Sequence, residues 1–576
     1  MIYTIFLYVN IKLNMHRTDE STPLSPSLHQ LYGKEPAERK LPVNKRVFYL
    51  SIQAVANAMV IGFVAKLLVL LITFITNIAF YGRFSFSTAS PSGNQLGWLV
   101  VFVPVAGSIL VGIMARYGSK AIRGHGIPEA MERIISGESK IPPVITFLKP
   151  LSAAISIGTG GPFGAEGPII ATGGAFGSLT GQVMHISPAE RKIILAAGAC
   201  AGMSAIFGSP LAAVLLAIEL LLFEFSPRSM IPVALGCITG AGMHLFLFET
   251  APVFAMPSIP VPSTGALGIY VLLGLLIGVI AAGVSKSVYI VEDWFEKIPI
   301  HWMWWPALGA IAVGIAGYFA PFTMGVGYDN IQHLLTGALP LQLLFSLCFL
   351  KYISWVISLG SGTSGGTLAP LFTIGGSLGA LLGIAILHTF PASGINIATA
   401  ALIGMAAMFA GASRAFLTSV VFALETTGQV NGLLPLMGAC AAAYFVSFFL
   451  MKGSIMTEKI KRRGIKTPDS YEPDVLQNVT VKDLLTETQS VAGNPHYVYT
   501  TDDVGLAAEI MGKYNEEMLP VMDNKSSGKV VGTITAAAIL QYYSSEKQKE
   551  HQYESPRKTR EIMVTGRKLA KKAYRK

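Results

Sequence analysis

"GTGGPFGAEGPII", residues 158–170, holds five glycines, two prolines and a single carboxylate, Glu166, with no basic residue inside the stretch. It lies in a chain of 576 residues of which only 13% are charged, with a mean hydropathy of +0.54. An ordinary soluble protein carries roughly 25% charged residues. Apolar runs cover 47–80, 97–115, 230–256, 265–290, 302–320 and, with short breaks, 397–450. A spanning helix needs about 20 such residues, so the chain reads as an all-α polytopic membrane protein. Segments such as 144–157 and 211–225 are too short to span and carry glycine or proline. They predict broken or re-entrant helices, which a bilayer tolerates only where protein or a water-filled cavity covers the exposed backbone.

The membrane body repeats itself. A shift of 202 positions lays Gly160, Gly164, Pro168, Gly173, Gly174 and Gly177 on Gly362, Gly366, Pro370, Gly375, Gly376 and Gly379. The same shift lays "GMSAIF" (202–207) on "GMAAMF" (404–409), and a four-residue insertion then aligns "AIE" (217–219) with "ALE" (423–425). Duplicated halves with interrupted helices mark many transporters, whose site lies near mid-membrane where the halves meet.

Each glycine-rich stretch leads into an apolar helix. Helix N-termini present unsatisfied N–H groups and a partial positive charge, so two of them converging at mid-membrane would hold an anion without a full positive charge. Glycines let the backbone approach the ion, and a site with few Lys or Arg can also release it. Glu166, at the start of a helix expected over 167–185, then reads as a tethered anion in competition with a free one. Protonation would release it, which makes it a candidate gate and proton acceptor.

These residues resemble the CLC chloride channel and transporter family. "GAEGP" (164–168) is similar to its gating-glutamate motif G-[K/R]-E-G-P, "GTLAP" (366–370) to G-x-F-x-P, and "GHGIPEA" (124–130) to G-S-G-I-P. The resemblance covers about residues 47–464. It implies two inverted repeats, a homodimer with a pore in each subunit, and an anion held by helix N-termini. It also implies that Glu166 is the gate, that the amides of Thr367 and Leu368 hold the anion, with Gly164, Gly167 and Gly366 close to it, and that Gly126 and Ile127 line the inner side. Four positions depart from the family pattern. His125 stands for the anion-binding serine and Met456, in "SIMTEKIKRRG", for the pore tyrosine, so both side-chain hydroxyl donors are lost. Leu220, beside Glu219, stands for the inner proton-relay glutamate, and Ala165 for the basic residue of the gate motif. The missing inner acid favours passive or weakly proton-coupled conduction; the alternative is H⁺/Cl⁻ exchange. Chloride is the expected ion, with nitrate and fluoride as alternatives. Glu219 is expected to face away from the path and to share a structural role with Glu425.

Outside the body, residues 1–46 read as a polar cytoplasmic segment. Residues 1–14 are too short an apolar stretch to span, lack a small-residue cleavage site, and precede Met15, which reads as an alternative start. A linker over 465–478 includes "IKTPDSYEPD". Residues 479–545 resemble one CBS motif, with Ala538 where a nucleotide-ribose aspartate is usual, so a folded spacer is expected rather than a nucleotide sensor. Residues 546–576 are expected to be a disordered basic tail. Residues 544–576 hold eleven Lys/Arg against four Asp/Glu, with no aromatic interleaving that would point to nucleic acid; anionic lipid is the partner such charge fits. Lys45 and Arg46 before the first span, and Lys459, Lys461, Arg462 and Arg463 after the last, put both termini in the cytoplasm of a cell-membrane protein. Cys200, Cys237, Cys348 and Cys440 lie in apolar segments and read as small buried hydrophobes. No Walker motif or metal-ligand spacing is present, and G-x-G-x-x-G fails at 158–163, where Phe163 takes the place of the third glycine, so no enzyme, cofactor or metal is expected. The rival outside the family is a Na⁺-coupled carrier of an organic solute.

Overall fold

A computed structural model describes residues 45–554 apart from 137–138, 185, 249–251, 466–475, 477–478, 487–494 and 524–529. The chain divides into two units, Pro42–Ser470 and a second made of Tyr471–Lys576 with Met1–Leu41. The expectations for residues 1–44 and for the tail beyond 554 lie outside the described residues.

The membrane unit is built from helices α1 (Lys45–Tyr81), α2 (Phe102–Tyr117), α3 (Ile127–Ser136), α4 (Val144–Gly158), α5 (Glu166–Val183), α6 (Pro188–Phe207), α7 (Pro210–Leu216), α8 (Pro227–Leu247) and α9 (Thr264–Lys297). It continues with α10 (Trp305–Phe319), α11 (Tyr328–Leu335), α12 (Leu341–Phe345), α13 (Lys351–Gly360), α14 (Leu368–Thr389), α15 (Ile397–Ser413), α16 (Phe416–Thr427), α17 (Leu433–Leu450) and α18 (Glu458–Arg462). Among the described residues, eight helical segments are long and apolar enough to span, while Val144–Gly158, Pro210–Leu222, Ile397–Ser413 and Phe416–Thr427 are shorter, as broken helices require. Two of the eight, Leu341–Gly360 and Leu368–Thr389, are missing from the apolar runs read from sequence. Lys351 interrupts one and the glycine motif opens the other. The four cysteines are free and buried.

Helix ends follow their local chemistry. Ser187 and Glu190 form a capping box before α6, with Pro188 at its first position, which satisfies two orphan donors reciprocally. Asn396 caps α15 through Ala398 and Thr399. The two helices end alike, α6 at left-handed Gly208 and α15 at left-handed Arg414. Arg414 tolerates that conformation while its guanidinium donates to the carbonyls of Ser447 and Met451 at 3.2 and 2.6 Å.

These ends correct the register of the repeat. Gly173 of α5 packs on the backbone of Gly198, and Gly375 of α14 on that of Gly404; a Cβ at any of the four would strike the opposite carbonyl. Gly208 and Arg414, and Gly198 and Gly404, stand 206 positions apart. The four-residue insertion therefore lies between Gly177/Gly379, still 202 apart, and Gly198/Gly404, rather than after α6 and α15: α14 has 22 residues where α5 has 18. Four residues are close to one helical turn, so small residues match at either offset.

The 206 offset also pairs α7 with α16. The carboxylate of Glu219, in the π-helical turn Ala217–Leu222 that continues α7, accepts the N–H groups of Leu417 and Thr418 at 2.8 and 2.9 Å. Glu425 on α16 accepts those of Leu211 and Ala212 at 3.0 and 2.8 Å. Each half caps the other's helix, the arrangement that a two-fold between inverted halves produces.

The second unit is a small α+β fold: β1 (Val498–Tyr499), α19 (Val504–Tyr514), β2 (Met518–Met522), β3 (Val530–Thr535) and α20 (Ala536–Glu554). Its sheet runs β1-β2-β3, with β1 parallel and β3 antiparallel to β2. Val498, Val504, Leu519, Val521 and Ile534 are among its core residues. Helix α20 runs nine residues past the boundary expected at 545, because that stretch is rich in the good helix formers Glu, Lys and Gln.

A cap of this kind is worth about 0.5–2 kcal/mol. Glu219→Ala and Glu425→Ala should each lower stability by about that much, and by similar amounts, in denaturant titrations of the detergent-solubilised protein. A change confined to one of them would break the equivalence.

Candidate functional site

Three loops meet in the membrane unit, at residues 122–126 before α3, 160–165 before α5 and 361–367 before α14. Gly164 donates to the Gly366 carbonyl at 3.3 Å and Gly366 donates back at 3.1 Å, an antiparallel bridge between residues equivalent in the repeat. Gly124 donates to the Thr363 carbonyl at 3.0 Å. The backbone is crowded here: Gly126, at φ +97°, has no room for a Cβ against the Gly167 carbonyl, and Gly167 has none against that of His125. Glycine is therefore required at these crossings, and they bring the N-termini of α3, α5 and α14 together.

Glu166 is the first residue of α5 and is fully buried. Its carboxylate folds back over Gly164. One oxygen accepts the N–H of Ala369, in the first turn of α14, and the other accepts the Tyr328 hydroxyl at 3.1 Å. The side chain of one half thus occupies the helix N-terminus of the other, where negative charge is favoured. Tyr328 opens α11 and is held edge-on by Phe207 and Phe254, at ring distances of 5.7 and 5.9 Å. Sequence reading missed it. The available signal was the "GVGY" run, in which Gly325 and Gly327 repeat Gly124 and Gly126 after 201 positions.

Bonding within the three loops limits which of their amides remain open. The N–H groups of Gly164 and Gly366 are taken up by each other, and that of Gly126 by Glu129 Oε2 at 2.6 Å. None of the three is available to an anion. The amide on the carboxylate is Ala369's, one residue beyond the expected Thr367 and Leu368. Among the described residues, no acceptor takes the N–H of Thr367 or Leu368, so these two are open donors at the same helix start; Ile127 and Gly167 hold the corresponding first-turn places on α3 and α5.

Three buried side-chain atoms in this knot have no partner among the described residues: His125 Nδ1, Thr363 Oγ1 and Thr367 Oγ1. Most buried polar atoms are hydrogen-bonded, so a cluster of orphans beside open N–H groups fits an exchangeable ligand. Two of the three atoms are threonine hydroxyls in the loop before α14, which the sequence reading did not weigh when it counted the family's two hydroxyl donors as lost. Met456 is buried with its N–H on Ser454 Oγ at 3.2 Å. Leu220 is buried in the π turn, while the neighbouring Glu219 carboxylate is engaged by α16. Neither Met456 nor Leu220 takes part in the bonds that tie the three loops.

The fold and site define a multi-pass membrane protein whose duplicated, inverted halves meet on helix N-termini. Residues 106–448 match the family model described as voltage gated chloride channel, and the chain belongs to that family, the CLC family. It is 30% identical over 371 residues to the H⁺/Cl⁻ exchange transporter ClcA of Yersinia pestis, covering 62% of this chain and 76% of the relative. It is 26% identical over 475 residues to ClcA of Salmonella typhimurium, covering 80% and 98%. Among solved structures, a slow cyanobacterial Cl⁻/H⁺ antiporter shares the fold with a TM-score of 0.63 at 23% identity, over 71% of this chain and 98% of the other.

A hydrogen bond to a charged partner contributes about 1.5–3 kcal/mol. If the Thr367 hydroxyl faces the anion, Thr367→Val should weaken chloride binding at least about tenfold in calorimetric titrations, and Thr367→Ser should restore it. Unchanged binding in Thr367→Val would take this hydroxyl out of the site.

Proposed function

We propose that this protein moves small anions, chloride first among them, across the membrane in exchange for protons, with Glu166 as both gate and proton acceptor. The reading rests on the seat of the Glu166 carboxylate, between the Ala369 N–H and the Tyr328 hydroxyl. A group of single negative charge already fills an anion-sized place made of neutral donors, so a free anion and the carboxylate compete for it. Protonation removes the carboxylate's charge and with it the advantage over a free anion, which links proton uptake to anion entry.

Exchange takes precedence over the passive conduction expected from Leu220. The relatives that cover most of their length with this chain are named H⁺/Cl⁻ exchangers, and that supports coupling here. Leu220 then implies that protons travel to and from the inner face through water rather than by way of an acid at this position, since an unpartnered charge is costly at that depth. The distribution of Lys and Arg supports cytoplasmic termini. Assembly as a homodimer in the cell membrane, and a CBS-type spacer role for the α+β unit, accompany this reading.

Two measurements test it. Glu166→Gln should conduct chloride with little dependence on pH and carry no protons in liposome flux assays. If it keeps the native pH sensitivity, Glu166 is a structural cap. Under opposed chloride and pH gradients, the native protein should reverse at a potential displaced from the chloride equilibrium value, and reversal at that value would return the passive reading.

A further inference from the structure

The two halves bury one lysine each, 202 positions apart. Lys149 on α4 donates to the carbonyls of Ile122 and Gly124 at 2.8 and 2.7 Å. Lys351 on α13 donates to those of Thr323 and Gly325 at 3.2 and 3.5 Å. Both side chains are fully buried. Each ammonium therefore ties down the loop that leads into a short helix, α3 in the first half and α11 in the second. The loops correspond residue by residue at an offset of 201: Gly124 and Gly126 answer Gly325 and Gly327, all four at positive φ.

The halves differ in what balances the lysine. In the first half the third residue of the helix is Glu129, whose carboxylate holds the Gly126 N–H, lies 3.5 Å from Lys459 and acts electrostatically on Lys149. In the second half the corresponding residue is Asn330, a neutral amide that donates to the Phe322 carbonyl at 2.7 Å. Its Nδ2 and Lys351 Nζ both lie against Gly327, each about 3 Å from where a Cβ would stand. Among the described residues, no carboxylate lies within 4.0 Å of Lys351 Nζ. Tyr328, the residue next to Gly327, donates its hydroxyl to the Glu166 carboxylate, so the start of α11 joins the lysine to the gate. A buried charge without a counter-charge is strongly unfavourable, so Lys351 favours a negative charge at the gate, whichever group carries it.

We propose that Lys351 is a positioning residue of the anion site: the fixed counter-charge that Asn330 leaves unpaired, balanced by the Glu166 carboxylate when the gate is closed and by the transported anion when it is open. This rests on the anion-exchange reading above. It explains how a site without a cation in contact with the ion can still favour anions, since the charge acts through the α11 loop at a distance too large for tight capture.

The test is chloride calorimetry on the full chain in detergent, in a Glu166→Gln background so that the gate carboxylate does not compete. Lys351→Gln retains a donor for the two carbonyls but removes the charge, and should bind chloride about tenfold more weakly. Lys351→Arg should bind within about threefold of the background. Asn330→Asp, which leaves Lys351 in place and gives it a carboxylate of its own, should also weaken binding about tenfold, and it decides the matter alone if Lys351→Gln does not assemble. Chloride affinity unchanged in both Lys351→Gln and Asn330→Asp would overturn the counter-charge and leave the transport reading intact. Absence of chloride binding in Glu166→Gln itself would overturn both.

Discussion

Everything at the centre of this protein hangs on two glycines that bond each other's backbone. The interior of a bilayer has no water to satisfy N–H and C=O groups, so any stretch that leaves the helix must find its partners in the protein. Gly164 and Gly366 solve this mutually, at 3.3 and 3.1 Å. Because they are equivalent residues of the two halves, the bond pair falls where the halves relate to one another, and it aligns the starts of α5 and α14 on one place. A side chain on Gly366 would press on the Gly164 carbonyl, only 2.6 Å from a Cβ there. The His125 loop is drawn into the same knot by the bond from Gly124 to Thr363. Helix N-termini can meet inside the helical body because these non-helical turns find their partners there.

What the sequence made legible follows from this constraint. A chain that must cross itself without side chains announces the place with glycines, so the motif, the duplication and the lone Glu166 stood out. The capping pair Glu219 and Glu425 was also readable, since both close the same short motif in each half. Less legible were features that leave no periodic trace. The insertion was misplaced because a slip of one turn keeps small residues facing small residues. The amide that meets the carboxylate, that of Ala369, was not read from sequence, because a motif fixes a helix start and not which N–H a folded-back side chain meets. Lys351 escaped because it looks, in a string of letters, like an interruption of an apolar run, and Tyr328 because its GVGY run was not compared with the Gly124–Gly126 loop. Thr367 was read only for its main chain.

The duplication supplies a skeleton, and the chemistry lies where the copies disagree. Glu166 answers Leu368, Tyr328 answers Ile127, and Asn330 answers Glu129. Only one half contributes a carboxylate at this place, and its donors, the Ala369 N–H and the Tyr328 hydroxyl, come from the other half. An anion site made of one half alone would lack either its competitor or its donors. That dependence gives the inverted arrangement a functional consequence beyond packing.

The magnitudes suit a gate. A carboxylate on a helix N-terminus gains about 0.3–1 kcal/mol, rising to about 2 where partly buried. Each hydrogen bond to it contributes about 1.5–3 kcal/mol. Against these stands an effective desolvation penalty of several kcal/mol for a buried ion. The two sides are of the same order for Glu166, which has one amide, one hydroxyl and one helix start. The neighbouring position, basic in the family's gate motif, is Ala165 here, so the residue before Glu166 brings no cation to it. Near-balance is the condition under which a proton, or a competing anion a few ångströms away, can decide which negative group occupies the site.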